Sequence, residues 1–135
     1  MRGTGRNTAE HSETKSQKQK RNLAMQTNII PEDGYSVIQL SGKLDTDTAV
    51  KVDAVFAQTV ELQNHLLVDL SALRYISSAG LRILLLAAKR VQQKGGKIIL
   101  YALQENVRDI FDISGFSSVF KICKDKESAI AALKD

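Results

Sequence analysis

The chain has 135 residues, enough for one domain whose core can form without a metal or a disulfide. Hydrophobic residues make up 43% and charged residues 25%, ordinary for a globular domain, and no apolar run approaches the roughly 20 residues of a bilayer span. The net charge of +4 sits at one end: residues 1–24 hold six basic residues (Arg2, Arg6, Lys15, Lys18, Lys20, Arg21) and two acidic ones (Glu10, Glu13). This leaves 13 of each sign in residues 25–135, which argues against a basic face for nucleic acid.

Residues 1–24 are polar and almost free of apolar side chains, so they are expected to be a disordered basic tail ahead of a domain over 25–135. They carry no signal-peptide pattern, and the expected location is cytoplasmic. Gln26 to Ile30 is a short strand candidate, and Pro31-Glu32-Asp33-Gly34 is a turn, because proline presets one torsion and glycine accepts positive φ. Tyr35 to Leu40 alternates as a strand paired with the first, and Ser41 to Leu44 is expected to be a loop. Asp45, Thr46 or Asp47 then caps a helix to about Gln63, with Ala49, Val52, Phe56 and Val60 at helical spacing.

His65 to Leu70 predicts a buried strand. Leu81 to Gln93 predicts a helix with Leu81, Leu84, Leu85, Ala88 and Val91 inward, ended by Gly95-Gly96. Lys97 to Tyr101 is a third strand of the buried type, and Glu105 to Ser114 a helix with Gly115 past its end. Val119 to Ile122 is the last strand and Lys126 to Leu133 the last helix. Strands alternating with helices in the order β-β-α-β-α-β-α-β-α imply a mixed, mostly parallel α/β sheet with an antiparallel edge from the opening hairpin.

Catalytic chemistry finds little footing. The two histidines are His11 in the tail and His65, which is expected to pack or cap at a strand edge. No metal-ligand spacing and no phosphate-binding glycine motif occurs, so neither metal nor cofactor is expected. Cys123 stands alone, cannot form an internal disulfide, and reads as a small buried hydrophobe.

Two features stand apart. Ser77 and Ser78 lie where a loop turns into a helix, a place where a hydroxyl can cap the helix or carry a phosphate facing free N–H groups. In Leu81 to Ala88 the apolar stripe is too wide for one buried face. Ile83 and Leu86 are expected on a flank, either sandwiched by a neighbouring helix or exposed for a partner.

The run Asp69-Leu70-Ser71-Ala72-Leu73-Arg74-Tyr75-Ile76-Ser77-Ser78-Ala79-Gly80-Leu81 resembles the signature of STAS domains, specifically of bacterial anti-sigma factor antagonists. Gly42-Lys43-Leu44-Asp45 resembles their G-x-L-D segment, and Phe111-Asp112-Ile113-Ser114-Gly115-Phe116 their F-D-x-S-G-[LF] segment. The resemblance covers about residues 27–133 and implies a STAS-like fold and a non-enzymatic protein–protein switch in transcription regulation. In the family motif D-S-[ST]-G-L the first serine after the aspartate is phosphorylated. Aligned on Gly80-Leu81, Ser78 takes the acceptor position, with Ser77 the second candidate in place of the aspartate and Ala79 in place of the second hydroxyl.

The implied docking surface is Gly42, Lys43, Leu44, Asp45, Thr46 and Asp47 together with Ser77, Ser78, Ala79, Gly80, Leu81 and Arg82, flanked by Ile83 and Leu86. The implied partners are a serine-protein kinase that is also the anti-sigma factor, of the histidine-kinase-like ATPase type, and a PP2C-type phosphatase, with no nucleic acid and no membrane insertion. A rival role on the same resemblance is a constitutive STAS subunit of a membrane transporter for lipid or anion, in which Ser78 only caps.

Overall fold

The computed structural model describes residues 25–135, so the tail expected over 1–24 lies outside the described residues. Strands β1 (Gln26–Pro31) and β2 (Ser36–Leu44) form an antiparallel hairpin around a turn in which Gly34 takes φ 90°, a value that glycine adopts without steric cost. Strands β3 (Leu66–Ile76), β4 (Ile98–Tyr101) and β5 (Lys121–Cys123) then add in parallel, giving the sheet order β1-β2-β3-β4-β5. The helices are α1 (Thr46–Leu62), α2 (Ser78–Gln93), α3 (Glu105–Ser114) and α4 (Lys126–Leu133), with a short 3-10 turn at Phe116–Ser118. This is the mixed α/β architecture that the order of elements predicts.

The strand order explains the layers. Each parallel crossover steps one strand in the same direction, and crossovers are right-handed, so α1, α2 and α3 fall on one face. There the main core forms from Leu40, Leu44, Val52, Phe56, Leu70, Leu84, Val91, Val107 and Phe111. Phe56 and Phe111 are fully buried, each worth about 1.5–3 kcal/mol relative to exposure. Helix α4 follows the last strand and covers the other face, where Val37, Leu67, Ile99 and Tyr101 pack with Ala129. Toward β1 that second face turns polar: Asn28 Nδ2 donates to Gln39 Oε1 at 2.9 Å, and Gln39 Nε2 donates to Asp69 Oδ2 at 3.3 Å.

The strands differ from expectation at three places. The segment Ser41–Leu44 is not a loop: β2 continues to Leu44, with register irregularities between Gln39 and Ser41 and between Gly42 and Lys43. Gly42 takes φ 103° at the second, which a side chain would resist. Strand β3 runs six residues past Leu70, to Ile76, while β4 pairs only with Leu66–Asp69. The last strand starts at Lys121, because Phe116–Ser118 coils and Val119 stays exposed. Two smaller assignments resolve as follows. His65 sits at the strand edge, where its Nδ1 accepts the Lys97 N–H at 3.0 Å. Cys123 is half-buried against the α4 cluster rather than sealed in a core.

Candidate functional site

The last residues of β2 and β3, Leu44 and Ile76, are register partners, and each strand then turns into a helix. The Ser77 N–H donates to the Leu44 carbonyl at 2.9 Å, which brings the starts of α1 and α2 side by side. The two sequence segments singled out above, Gly42–Asp47 and Ser77–Arg82, therefore meet at one end of the sheet. Gly80 makes this approach possible. A Cβ there would lie 2.8 Å from the Leu44 side chain, from its carbonyl oxygen and from the Ile76 side chain.

The two helix starts are capped differently. Asp45 is the N-cap of α1: its Oδ1 accepts from the N–H groups of Asp47 at 3.0 Å and Thr48 at 3.1 Å. The Thr48 hydroxyl accepts in return from the Asp45 N–H at 2.9 Å, closing a capping box. Asp47 adds a second carboxylate to that first turn. Helix α2 has no acidic residue in its first turn, and none anywhere along its length. Its N-cap is Ser77, not Ser78: the Ser77 hydroxyl accepts from the Gly80 N–H at 3.3 Å, and its carbonyl accepts from Leu81. Ser78 is the first helical residue, is exposed, and has no bond to its hydroxyl among the described residues. The capping role at this turn therefore falls to Ser77 and leaves the Ser78 hydroxyl free.

The expected docking residues divide by burial. Lys43, Thr46, Asp47, Ser78, Arg82 and Leu86 are exposed, and Asp45, Ser77 and Ala79 are half-buried. Gly42, Leu44, Gly80 and Leu81 are buried and shape the site from beneath. Ile83 takes the sandwiched alternative, which corrects its place among the docking residues. It is 8% exposed within the main core, on an α2 whose other flank meets α1. The wide apolar stripe thus serves both sheet and neighbouring helix, while Leu85, expected inward, is half-buried and Leu86, at 37%, is exposed. Arg90 of α2 and Asp53 of α1 pair at 2.7 Å and hold the two helices together.

Sequence reasoning missed the support of the β3 overhang. Beyond Asp69 the β4 side of β3 has no strand partner, and two amide side chains from the start of α3 take its place. Gln104 Nε2 donates to the Ser71 carbonyl at 2.9 Å and Asn106 Nδ2 to the Arg74 carbonyl at 2.7 Å. A signal was available: Gln104 stands just ahead of the predicted helix, where Ser, Thr, Asp or Asn is the usual cap, and in the structure it makes no capping bond. A second missed residue is Asp69. It accepts from the Ser71 N–H at 2.9 Å, and burial and the Asp69 charge push the Tyr101 phenol well above its ordinary value. Among the described residues no group of three or more His, Cys, Asp and Glu side chains is gathered closely enough to hold a metal, and no helix is long and apolar enough to cross a membrane.

The chain matches known proteins over this same body. A family model described as STAS domain matches residues 24–129. BtrV of Bordetella bronchiseptica, named provisionally as an anti-sigma factor antagonist, is 40% identical over 103 residues, covering 76% of this chain and 89% of that protein. The anti-sigma F factor antagonist of Paenibacillus polymyxa is 26% identical over 103 residues, covering 75% of this chain and 88% of that protein. Among solved structures, an anti-sigma factor antagonist from Mycobacterium paratuberculosis superposes with a TM-score of 0.76 at 26% identity, over 83% of this chain and 96% of that one.

Proposed function

The chain belongs to the STAS domain family, and from that premise we propose that it is an anti-sigma factor antagonist switched by phosphorylation of Ser78. Its partner on this reading is an anti-sigma factor that is also a serine kinase of the histidine-kinase-like ATPase type, and a PP2C-type phosphatase resets it. The supporting names are those of its relatives, anti-sigma factor antagonists in Bordetella and Paenibacillus. The observation that carries the switch is the exposed, unbonded hydroxyl of Ser78 on the first residue of a helix without first-turn acid.

Unphosphorylated, the face made by Lys43, Thr46, Asp47, Ser78, Arg82 and Leu86 docks on the anti-sigma factor and frees its sigma factor. A phosphate on Ser78 adds about −1.5 to −2 charges. In the free domain that charge lies in water, at a helix end whose dipole favours it. In a docked complex it would be buried, one residue from the Ser77–Leu44 bond that brings Asp45 and Asp47 alongside. Burying a charge to which the docking protein offers no cation costs several kcal/mol, and each 1.4 kcal/mol is about tenfold in affinity. Release needs no unfolding, because Ser78 makes no contact on which the fold depends.

The test uses the anti-sigma factor kinase with ATP. Intact mass should rise by one phosphate in the wild type and stay unchanged in Ser78→Ala, while Ser77→Ala is still modified. Ser78→Asp should weaken binding with an unchanged circular dichroism spectrum. Equal binding by Ser78→Asp and wild type defeats the proposal.

A further inference from the structure

We propose that Arg82 is the built-in counter-ion of a phosphorylated Ser78, so that modification also withdraws this guanidinium from a docking protein. The inference rests on the reading of Ser78 as the phosphate acceptor. The two residues are four apart in α2, and both are exposed. Side chains on a helix lean toward its amino end, so Arg82 extends over the turn that carries Ser78. An anion four residues ahead of a cation is the favourable order for such a pair. A guanidinium can also meet a phosphate through two parallel N–H bonds.

The remaining charges of α2 leave Arg82 to this task. Arg82 has no carboxylate within ion-pair distance among the described residues. Arg90 is occupied by Asp53 at 2.7 Å. Lys89 lies eleven residues beyond Ser78, about 16 Å along the helix at 1.5 Å per residue. No acid on α2 competes for the guanidinium. Lys43, on the neighbouring strand end, is the cation that a test must separate from Arg82.

The pair makes the modified free domain more stable and the modified surface poorer in positive charge. A docking protein that offers acidic groups to Arg82 in the unphosphorylated state then loses its partner and meets a negative charge in its place. The phosphate works twice with one covalent event.

The experiment needs no kinase. The full chain is made with phosphoserine encoded at position 78, and its phosphate is titrated by phosphorus NMR across the second ionisation near pH 6. The phosphate should titrate roughly 0.3 unit or more lower in the wild type than in Arg82→Ala, with Arg82→Lys between them. Lys43→Ala and Lys89→Ala should leave the titration where it is in the wild type. Phosphorylation should also raise the melting temperature more in the wild type than in Arg82→Ala. An unchanged titration in Arg82→Ala, or a larger change in Lys43→Ala, overturns the inference. Either failure leaves the acceptor role of Ser78 to the kinase assay. Conversely, a chain that shows the NMR shift but takes no phosphate from the kinase keeps the pair and loses the switch.

Discussion

The side-chain amide of Asn106, at the start of α3, donates to the Arg74 carbonyl at 2.7 Å, three residues before Ser77. It takes the place of a strand. β3 projects past the end of β4, and its outer edge would otherwise offer unpaired carbonyls, which are costly to leave unbonded wherever water is excluded. Asn106→Ala should therefore cost about 0.5–1.5 kcal/mol, the net worth of one such bond. The loss should be local. Amide hydrogen exchange should quicken over residues 74–79 and stay unchanged over Leu66–Asp69, which β2 and β4 flank on both sides. Uniformly faster exchange across β3 would contradict a local role.

The division of labour between the two serines is measurable as stability. Ser77→Ala removes the α2 cap and should cost about 1 kcal/mol, read as a lower urea midpoint. Ser78→Ala removes an exposed hydroxyl without a bond and should fall within about 0.5 kcal/mol of the wild type. Equal losses in the two variants would mean that both hydroxyls cap.

Gly80 is held to its identity by space. A Cβ would stand 2.8 Å from three atoms of Leu44 and Ile76, one of them a backbone oxygen that cannot swing away. Gly80→Ala should destabilise the domain by about 1–3 kcal/mol, despite the better helix propensity of alanine. The urea midpoint measures it. A stabilised Gly80→Ala would show that α2 can lift off the strand ends at little cost.

Tyr101 should report on alkaline unfolding. Burial and then the Asp69 charge raise its pKa in the folded state. The sign follows by linkage: the stabilisation is fully present below the unfolded value of 10.0 and is lost as pH rises from there toward the folded value. Ultraviolet titration should show Tyr101 ionising only well above the ordinary tyrosine value of 10.0 or on unfolding. Tyr101→Phe should flatten the fall of stability above pH 10. A fall equally steep in Tyr101→Phe would assign it to other groups.

Much of this architecture was legible because its signals are local. Asp45 announces the start of α1, Gly115 ends α3 at φ 82°, and the helical spacing of Val52, Phe56 and Val60 marks the face that is buried. The strand ends were illegible for a physical reason. Two register irregularities break the alternation of β2 before Leu44, and Ser71, Arg74 and Tyr75 leave β3 half-solvated past the end of its neighbour. Ile83 kept two readings because helix periodicity shows how wide a stripe is and not what lies on its second flank. The meeting of Ser77 with Leu44 spans more than thirty residues of chain, and only a family resemblance joined those two segments beforehand.

The strand order β1-β2-β3-β4-β5 carries a consequence for how the domain assembles. Each strand adds beside the one before it, without the move to the opposite edge that a sheet makes where its order reverses midway. During synthesis each new strand can dock on an edge already present, roofed by the helix that leads into it. Each parallel pairing then closes a single crossover, such as Ser36 to Leu66 or Leu66 to Ile98, rather than the length of the chain.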